Sequence, residues 1–282
     1  MFSIIIPTWN NLPYLQLAVD SIRRHSAQPQ EVLVHVNDGS DGTLDWVRAQ
    51  GLQHTHSPAN VGICLAFNEV ASRASARYFV YLNDDMVVSP GWDERLLRRI
   101  QALPTELFMV SGTMVEPLAS GNACVVVRDF GDTVDAFREA DLLRALPGLV
   151  REDWAGATWP PTVVHRDRWF RVGGYASEFS PGMSSDNDFA MKLWHAGCRH
   201  FIGVGDALVY HFQCKSTGKV VKNDGRRQFL AKWGMGQRTF DRHFLRRGAP
   251  LPAGDGRVPE PIDAPALRWA LRKDRLKRTL RG

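Results

Sequence analysis

Two adjacent carboxylates, Asp84 and Asp85, follow the aromatic and β-branched run Tyr78-Phe79-Val80-Tyr81-Leu82, with Asn83 just before them. Like charges side by side repel each other unless a cation sits between them and a partner. The run that precedes them reads as a buried strand. In an open α/β sheet, ligands gather outside the carboxyl ends of the strands. Acids at that edge suit a hard divalent ion such as Mg²⁺ or Mn²⁺, held with oxygen ligands and phosphates. The plainer reading is a solvated acidic turn that caps the next helix, and the pair alone does not choose between them.

Three other positions combine reactive residue types with turn-forming neighbours. Asp38 stands in Asn37-Asp38-Gly39-Ser40, where an acid before glycine also suits a simple turn. Asp186 and Asp188 open an apolar periodic segment, where a first-turn acid is favoured by the helix dipole alone. His211 ends a β-branched run, a place where a lone histidine also serves as a hydrogen-bonded structural residue.

The elements around these residues alternate. Ser3–Thr8 reads as a fully buried first strand because it does not alternate in polarity. Leu12, Leu15, Val19 and Ile22 recur at helical spacing, Glu31–Val36 reads as a second strand, and a helix carrying Leu44 and Val47 follows. A short strand is expected near Gln53–His56, then a helix opening at Asn60-Val61-Gly62, the strand before Asn83, and an amphipathic helix with Leu96, Leu97, Ile100 and Leu103. This order predicts a doubly wound α/β fold with a mixed, mostly parallel sheet and flanking helices.

Beyond it the pattern loosens. Phe108–Val115 and Cys124–Val127 read as strands and Asp135–Leu146 as a helix. Thr162–His165 and Trp169–Val172 lead into Gly173-Gly174-Tyr175, and a helix starts at Asp186 with Gly197 as its cap. His200–Val204 and Ala207–His211 read as two strands, Gln213–Asp224 as a mobile loop, and Arg226–Trp233 as a helix.

Charge is unevenly placed. Of the net +5, residues 264–282 contribute +6, so the other 263 residues sum to −1. A near-neutral body disfavours nucleic acid as a partner. The 44% hydrophobic content supports a substantial core. The four cysteines form no Cys-x-x-Cys pair, so reduced thiols are expected. The start of the chain lacks the basic and apolar regions of a signal peptide, and no stretch approaches the ~18 apolar residues that span a bilayer. These features predict a cytoplasmic protein, with the basic tail offering contact with the inner face of a membrane through Trp269, Leu276 and Leu280.

Read together, Ser3-Ile4-Ile5-Ile6-Pro7-Thr8-Trp9-Asn10, Val36-Asn37-Asp38-Gly39-Ser40, Asn60-Val61-Gly62 with Ala66 and Asn68, and Leu82-Asn83-Asp84-Asp85 resemble the family 2 glycosyltransferases of the GT-A fold. Gly173-Gly174-Tyr175, Asp186-Asn187-Asp188, His211 with Ser216, and Phe229 with Lys232-Trp233-Gly234 extend the resemblance to about Gly234. The Asn-rich metal motif is similar to that of bacterial polysaccharide transferases, including rhamnosyltransferases.

The resemblance implies an inverting, metal-dependent transfer. The donor would be a UDP- or dTDP-linked sugar. The acceptor would be a hydroxyl of a glycan or lipid-linked glycan, in bacterial surface polysaccharide synthesis. By the same resemblance Pro7, Thr8 and Asn10 line the nucleoside pocket, and Asp38 accepts from the pyrimidine. Asn60 and Gly62 let the backbone approach the donor. Asp85 and His211 bind Mn²⁺ or Mg²⁺, with Asn83 and Asp84 completing the motif. Lys215, Ser216 and Lys219 would close over the diphosphate. Asp186 is the implied base, with Asp188 as the alternative. Asn83 replaces the first acid of the motif, and Ser185 replaces the Glu that usually precedes the base. These departures keep open a non-catalytic nucleotide-sugar-binding protein on the same fold. The implied organisation is a GT-A domain over 1–240, with a nucleotide-sugar half (1–115) and an acceptor half (116–240). A Pro-rich linker (241–265) and a basic tail (266–282) follow.

Overall fold

In a computed structural model, which describes residues 1–214 and 222–281, the alternation closes into one mixed sheet. Strand β1 (Phe2–Trp9) leads to helix α1 (Leu12–His25), then β2 (Glu31–Asn37), α2 (Thr43–Ala49), β3 (Gln53–Ser57) and α3 (Gly62–Ala71). Next come β4 (Tyr78–Tyr81), β5 (Met86–Val88), α4 (Trp92–Gln101), β6 (Phe108–Glu116), β7 (Val126–Val127) and α5 (Glu139–Ala145). The second half holds β8 (Trp154–Ala155), β9 (Thr162–His165), α6 (Arg166–Arg171), α7 (Ser185–His195) and β10 (His200–His211). It ends in α8 (Gly225–Trp233), α9 (Gln237–Thr239) with a π turn over Phe240–Phe244, and α10 (Pro265–Arg281).

The order across the sheet is β3-β2-β1-β4-β9-β6-β10-β5. Strands β3, β2, β1 and β4 run parallel, as do β6 and β10, whereas β9 and β5 run against their neighbours. The expected doubly wound, mostly parallel sheet is therefore what forms. Strand β1 shows why its sequence does not alternate. Ile4 and Ile6 enter the core on the side of α1 and α4, and Ile5 enters the core on the side of α3 and α7. With helices on both faces, both sets of side chains are buried.

Several expectations change at their edges. His200–Val204 and Ala207–His211 are one strand, whose pairing with β6 jumps between Val204 and Leu208. A Cβ on Gly205 would come within 1.8 Å of the Arg151 carbonyl oxygen, so the glycine permits this irregularity. The strand read at Cys124–Val127 shrinks to Val126–Val127, and the helix read from Asp135 begins at Glu139. Trp169 lies on α6, a short helix the pattern did not suggest. The stretch between Arg246 and Asp263 is extended, yet it is tied to the body. Leu251 N–H donates to Asp153 O at 3.2 Å, Val258 N–H donates to Arg199 O at 2.8 Å, and Val258 is buried.

The four cysteines are free, and burial pushes each thiol up, to about 11 for Cys124 and about 12 for Cys64, Cys198 and Cys214. Such thiols are unreactive. Among the described residues no helix is long and apolar enough to cross a membrane.

Candidate functional site

The carboxyl ends of β1, β2, β4, β6 and β10 meet around a cavity of about 420 Å³. Between β4 and β5 the chain crosses three intervening strands of the sheet, so Asn83, Asp84 and Asp85 stretch across this edge. All three line the cavity, together with Pro7, Thr8 and Asn60. Gly62 and His211 line it as well. Eight of the residues singled out in the sequence, scattered from position 7 to position 211, thus share one concavity. Asn10, Asp38 and Asp186 do not line it, and Lys215, Ser216 and Lys219 lie outside the described residues.

The repulsion expected between Asp84 and Asp85 is relieved by the protein itself. Asp84 turns to Thr8, whose hydroxyl donates to Oδ2 at 2.6 Å. Burial, then the charge of Asp85, raises the Asp84 carboxyl to about 7. Asp85 turns the other way. Its Oδ2 accepts the Cys214 N–H at 2.8 Å, and its Oδ1 lies 3.5 Å from His211 Nε2. Although burial opposes it, the hydrogen bond from His211 holds the Asp85 carboxyl below its ordinary value.

Glu116, absent from the residues chosen above, completes this arrangement. It ends β6, a strand buried at every position, and its Oε1 accepts from His211 Nδ1 at 2.9 Å. Gln213 Nε2 donates to the other oxygen at 2.8 Å. Burial alone would lower the His211 imidazole, but hydrogen bonds to Asp85 and Glu116 outweigh it and raise it to about 9. A carboxylate ending a largely apolar strand was the available clue, since its burial is costly without a partner.

The residue types suit a divalent ion. A ligating histidine normally donates its other ring N–H to a carboxylate, as Nδ1 does here, which leaves Nε2 aimed at Asp85. Among the described residues no group of three or more His, Cys, Asp or Glu side chains converges as a metal cage. A pair of protein ligands fits Mg²⁺-type binding, in which phosphates and water complete the shell.

At the far wall, Gly62 has φ +78°, and a Cβ there would lie 2.4 Å from Pro181 Cα. This glycine permits a close approach to the Ser180–Pro181 turn at the edge of the cavity it lines. Asn10 and Asp38 form a clasp beside the cavity: Asn10 Nδ2 donates to Asp38 Oδ2 at 2.8 Å, and both residues have positive φ. Hydrogen bonds from Ser40 and then Asn10 lower the Asp38 carboxyl. Asn37, not Asp38, faces the cavity, and its amide ties Thr8 O to Val61 N–H.

Asp186 sits half-buried in the first turn of α7, behind the cavity wall. The Tyr175 hydroxyl donates to its Oδ1 at 3.0 Å. The Tyr175 ring in turn meets Tyr81, a lining residue, edge to face at 6.1 Å. Burial raises the Asp186 carboxyl to about 7 against the opposing hydrogen bond from Tyr175. Ser185 does not support it, because its hydroxyl donates to Gly182 O at 2.8 Å.

Tyr175 is placed by Asn68, whose side chain donates to Tyr175 O at 2.7 Å and accepts Tyr175 N–H at 3.0 Å. Asp188 has a different occupation. It is fully buried, 2.9 Å from both Lys232 Nζ and Trp233 Nε1.

Residues 3–118 match the model of the family described as glycosyl transferase family 2. The fold is similar to that of S. aureus TarS. The crystal structure of its residues 1–349 aligns with a TM-score of 0.56 at 15% identity, over 74% of this chain and 60% of that one. The same fragment in complex with UDP-GlcNAc aligns with a TM-score of 0.58 at 15% identity, over 82% and 64%. The fragment in complex with UDP aligns with a TM-score of 0.53 at 14% identity, over 74% and 59%. The chain thus spans about 60% of the length of these structures. No curated protein sequence matches it.

Proposed function

We propose that this chain is a family 2 glycosyltransferase, as the match of residues 3–118 and the likeness of its fold to that of TarS support, and that it moves a sugar from a nucleoside-diphosphate donor to a hydroxyl of a glycan or lipid-linked glycan acceptor in surface polysaccharide synthesis. The carrying observation is the single cavity shared by Thr8, Asn83, Asp84, Asp85 and His211 at the carboxyl edge of the sheet. Pro7, Thr8, Asn60 and Gly62 would hold the nucleoside, with Asn10 and Asp38 at its margin. UDP and UDP-GlcNAc in the TarS structures support a uridine donor over the other pyrimidine, thymidine.

Asp85 and His211 would hold Mg²⁺ or Mn²⁺ beside the donor diphosphate. When bound, such an ion offsets charge on the departing diphosphate. Glu116 fixes the ring of His211, and Thr8 orients Asp84. In this reading Asp186 takes the proton of the acceptor hydroxyl as its oxygen forms the new bond to the anomeric carbon and the diphosphate leaves from the opposite face. The transfer therefore inverts the anomeric centre. Tyr175 holds the carboxylate in place. Asp188, engaged with Lys232 and Trp233, is unsuited to that role.

One observation favours a second reading, a nucleotide-sugar-binding protein without transfer: Asp186 does not line the cavity. A third component concerns the tail. Leu267 is buried against the body, whereas Trp269, Leu276 and Leu280 are 65%, 60% and 75% exposed on α10 among cationic residues. Leu267 belongs to the docked face, and Trp269, Leu276 and Leu280 form an outer stripe for an anionic membrane surface.

Calorimetry or thermal shift with UDP, dTDP, GDP and CMP, each with Mn²⁺, Mg²⁺ or a chelator, tests the donor site. Stabilisation by UDP only with metal is expected, by about 2.7 kcal/mol at a hundredfold excess over Kd. No response to any nucleotide would overturn the transferase reading.

A further inference from the structure

A second depression, of about 1190 Å³, is walled by the turn at residues 120–123, α8, α9 and its π turn, and α10. Arg226, Arg227, Arg238, Arg242, Arg246 and Lys277 line it, and among the described residues none of the six is in an ion pair. The acids of its lining are engaged. Asp241 binds Arg247 Nη1 at 2.6 Å and Asn187 Nδ2 at 2.7 Å. Asp274 is buried, where it accepts Gly236 N–H at 2.8 Å and Thr239 Oγ1–H at 2.6 Å.

This clustering does not follow from a basic body, since residues 1–263 sum to −1. Seven cations (the six with Arg247) against two engaged acids leave the lining at +5, a surplus that focuses a positive potential which anions relieve. The groove also reaches the proposed chemistry from two sides. Ser120, in its wall, donates to Glu116 Oε2 at 2.9 Å, and Glu116 lines the donor cavity. Gln237, in its opposite wall, accepts from Ser184 Oγ at 3.0 Å, two residues before Asp186.

We infer that this groove receives an anionic glycan, a chain bearing repeated carboxylate or phosphate groups, and that this chain is the acceptor; the second clause rests on the transferase reading. Guanidinium groups suit both anions because their paired N–H donors match the oxygens of either. The groove's concave shape, and the hydrogen bonds that tie its lining to Glu116 and Ser184, favour a strand-like ligand that extends toward the donor cavity. A lipid surface would instead meet the outer stripe of α10.

The test is calorimetric titration of the full chain, without nucleotide, by an oligogalacturonate decamer and by the neutral maltodecaose. The anionic decamer should bind, with affinity that falls as salt rises, and maltodecaose should not. Arg238→Gln with Arg242→Gln should weaken the decamer about tenfold or more and leave UDP affinity unchanged. Equal binding of the two sugars, or of the decamer to both proteins, overturns the inference. So does a decamer that fails to bind while a DNA oligonucleotide or phosphatidylglycerol vesicles bind in a way that the double variant abolishes. Failure to bind UDP counts against the transferase reading alone, because the sugar titration contains no nucleotide.

Discussion

Glu116 Oε1 and His211 Nδ1 lie 2.9 Å apart, so a buried carboxylate at the end of β6 sets the ring orientation of a histidine at the end of β10. Glu116→Gln replaces a charged acceptor by an amide of the same shape. UDP affinity in Mn²⁺ should fall about 10–100-fold, while affinity measured with chelator present stays as it was. Calorimetry under both conditions decides this, and an equal loss in both would mean that Glu116 acts only through the fold.

Asp186→Asn should leave UDP-sugar binding intact and reduce transfer by about 10²–10⁴-fold. Full transfer in this variant would remove Asp186 as base.

The titration of Asp186 has a definite sign. Its folded carboxyl lies at about 7, above its ordinary value, so transfer should rise as pH passes about 7 and then level off. Tyr175→Phe removes a bond that favours the carboxylate, so the inflection should move to higher pH. Stability carries the opposite sign, because the folded state binds the proton that the unfolded state has released. Stability should fall between the ordinary carboxylate range and about 7, and Asp186→Asn should flatten that slope in urea titrations across the window.

Asp188→Ala should act on stability and not on chemistry. It removes a fully buried carboxylate, leaves Trp233 Nε1 without a partner and leaves Lys232 with Glu178 alone, at a cost of roughly 1–3 kcal/mol. Denaturant midpoints together with transfer rates at a temperature where the variant is folded separate the two. A stable but inactive variant would make Asp188 the base.

Trp269→Glu with Leu276→Glu changes only exposed positions of α10 and keeps Leu267 docked. Sedimentation with anionic vesicles should drop while melting temperature holds. Unchanged sedimentation would remove the tail as a membrane contact.

Much of the site was legible because its residues sit at strand ends that announce themselves. Apolar runs such as Ser3–Thr8 and Tyr78–Leu82 end in polar clusters, and a parallel sheet carries those clusters to one edge. Glu116 was hidden because its strand is followed by a stretch without period, so the acid read as the end of a run. Asn68 and Tyr175 lie 107 residues apart, and nothing local relates them before α3 and the turn after α6 pack together.

The sequence by itself determined the alternation of elements, the sheet edge that holds Asn83, Asp84 and Asp85, and the separation of a neutral body from a basic tail. These follow from polarity patterns and turn chemistry, which act over a few residues. Tertiary structure alone decided that Asp84 turns to Thr8 and Asp85 to His211, and that Asp188 is tied to Lys232 while Asp186 remains with Tyr175. It also decided that arginines of α8 and α9 share one groove with Lys277. Each of these depends on which buried charges find partners, and partners distant in sequence meet only when the sheet and its helices close.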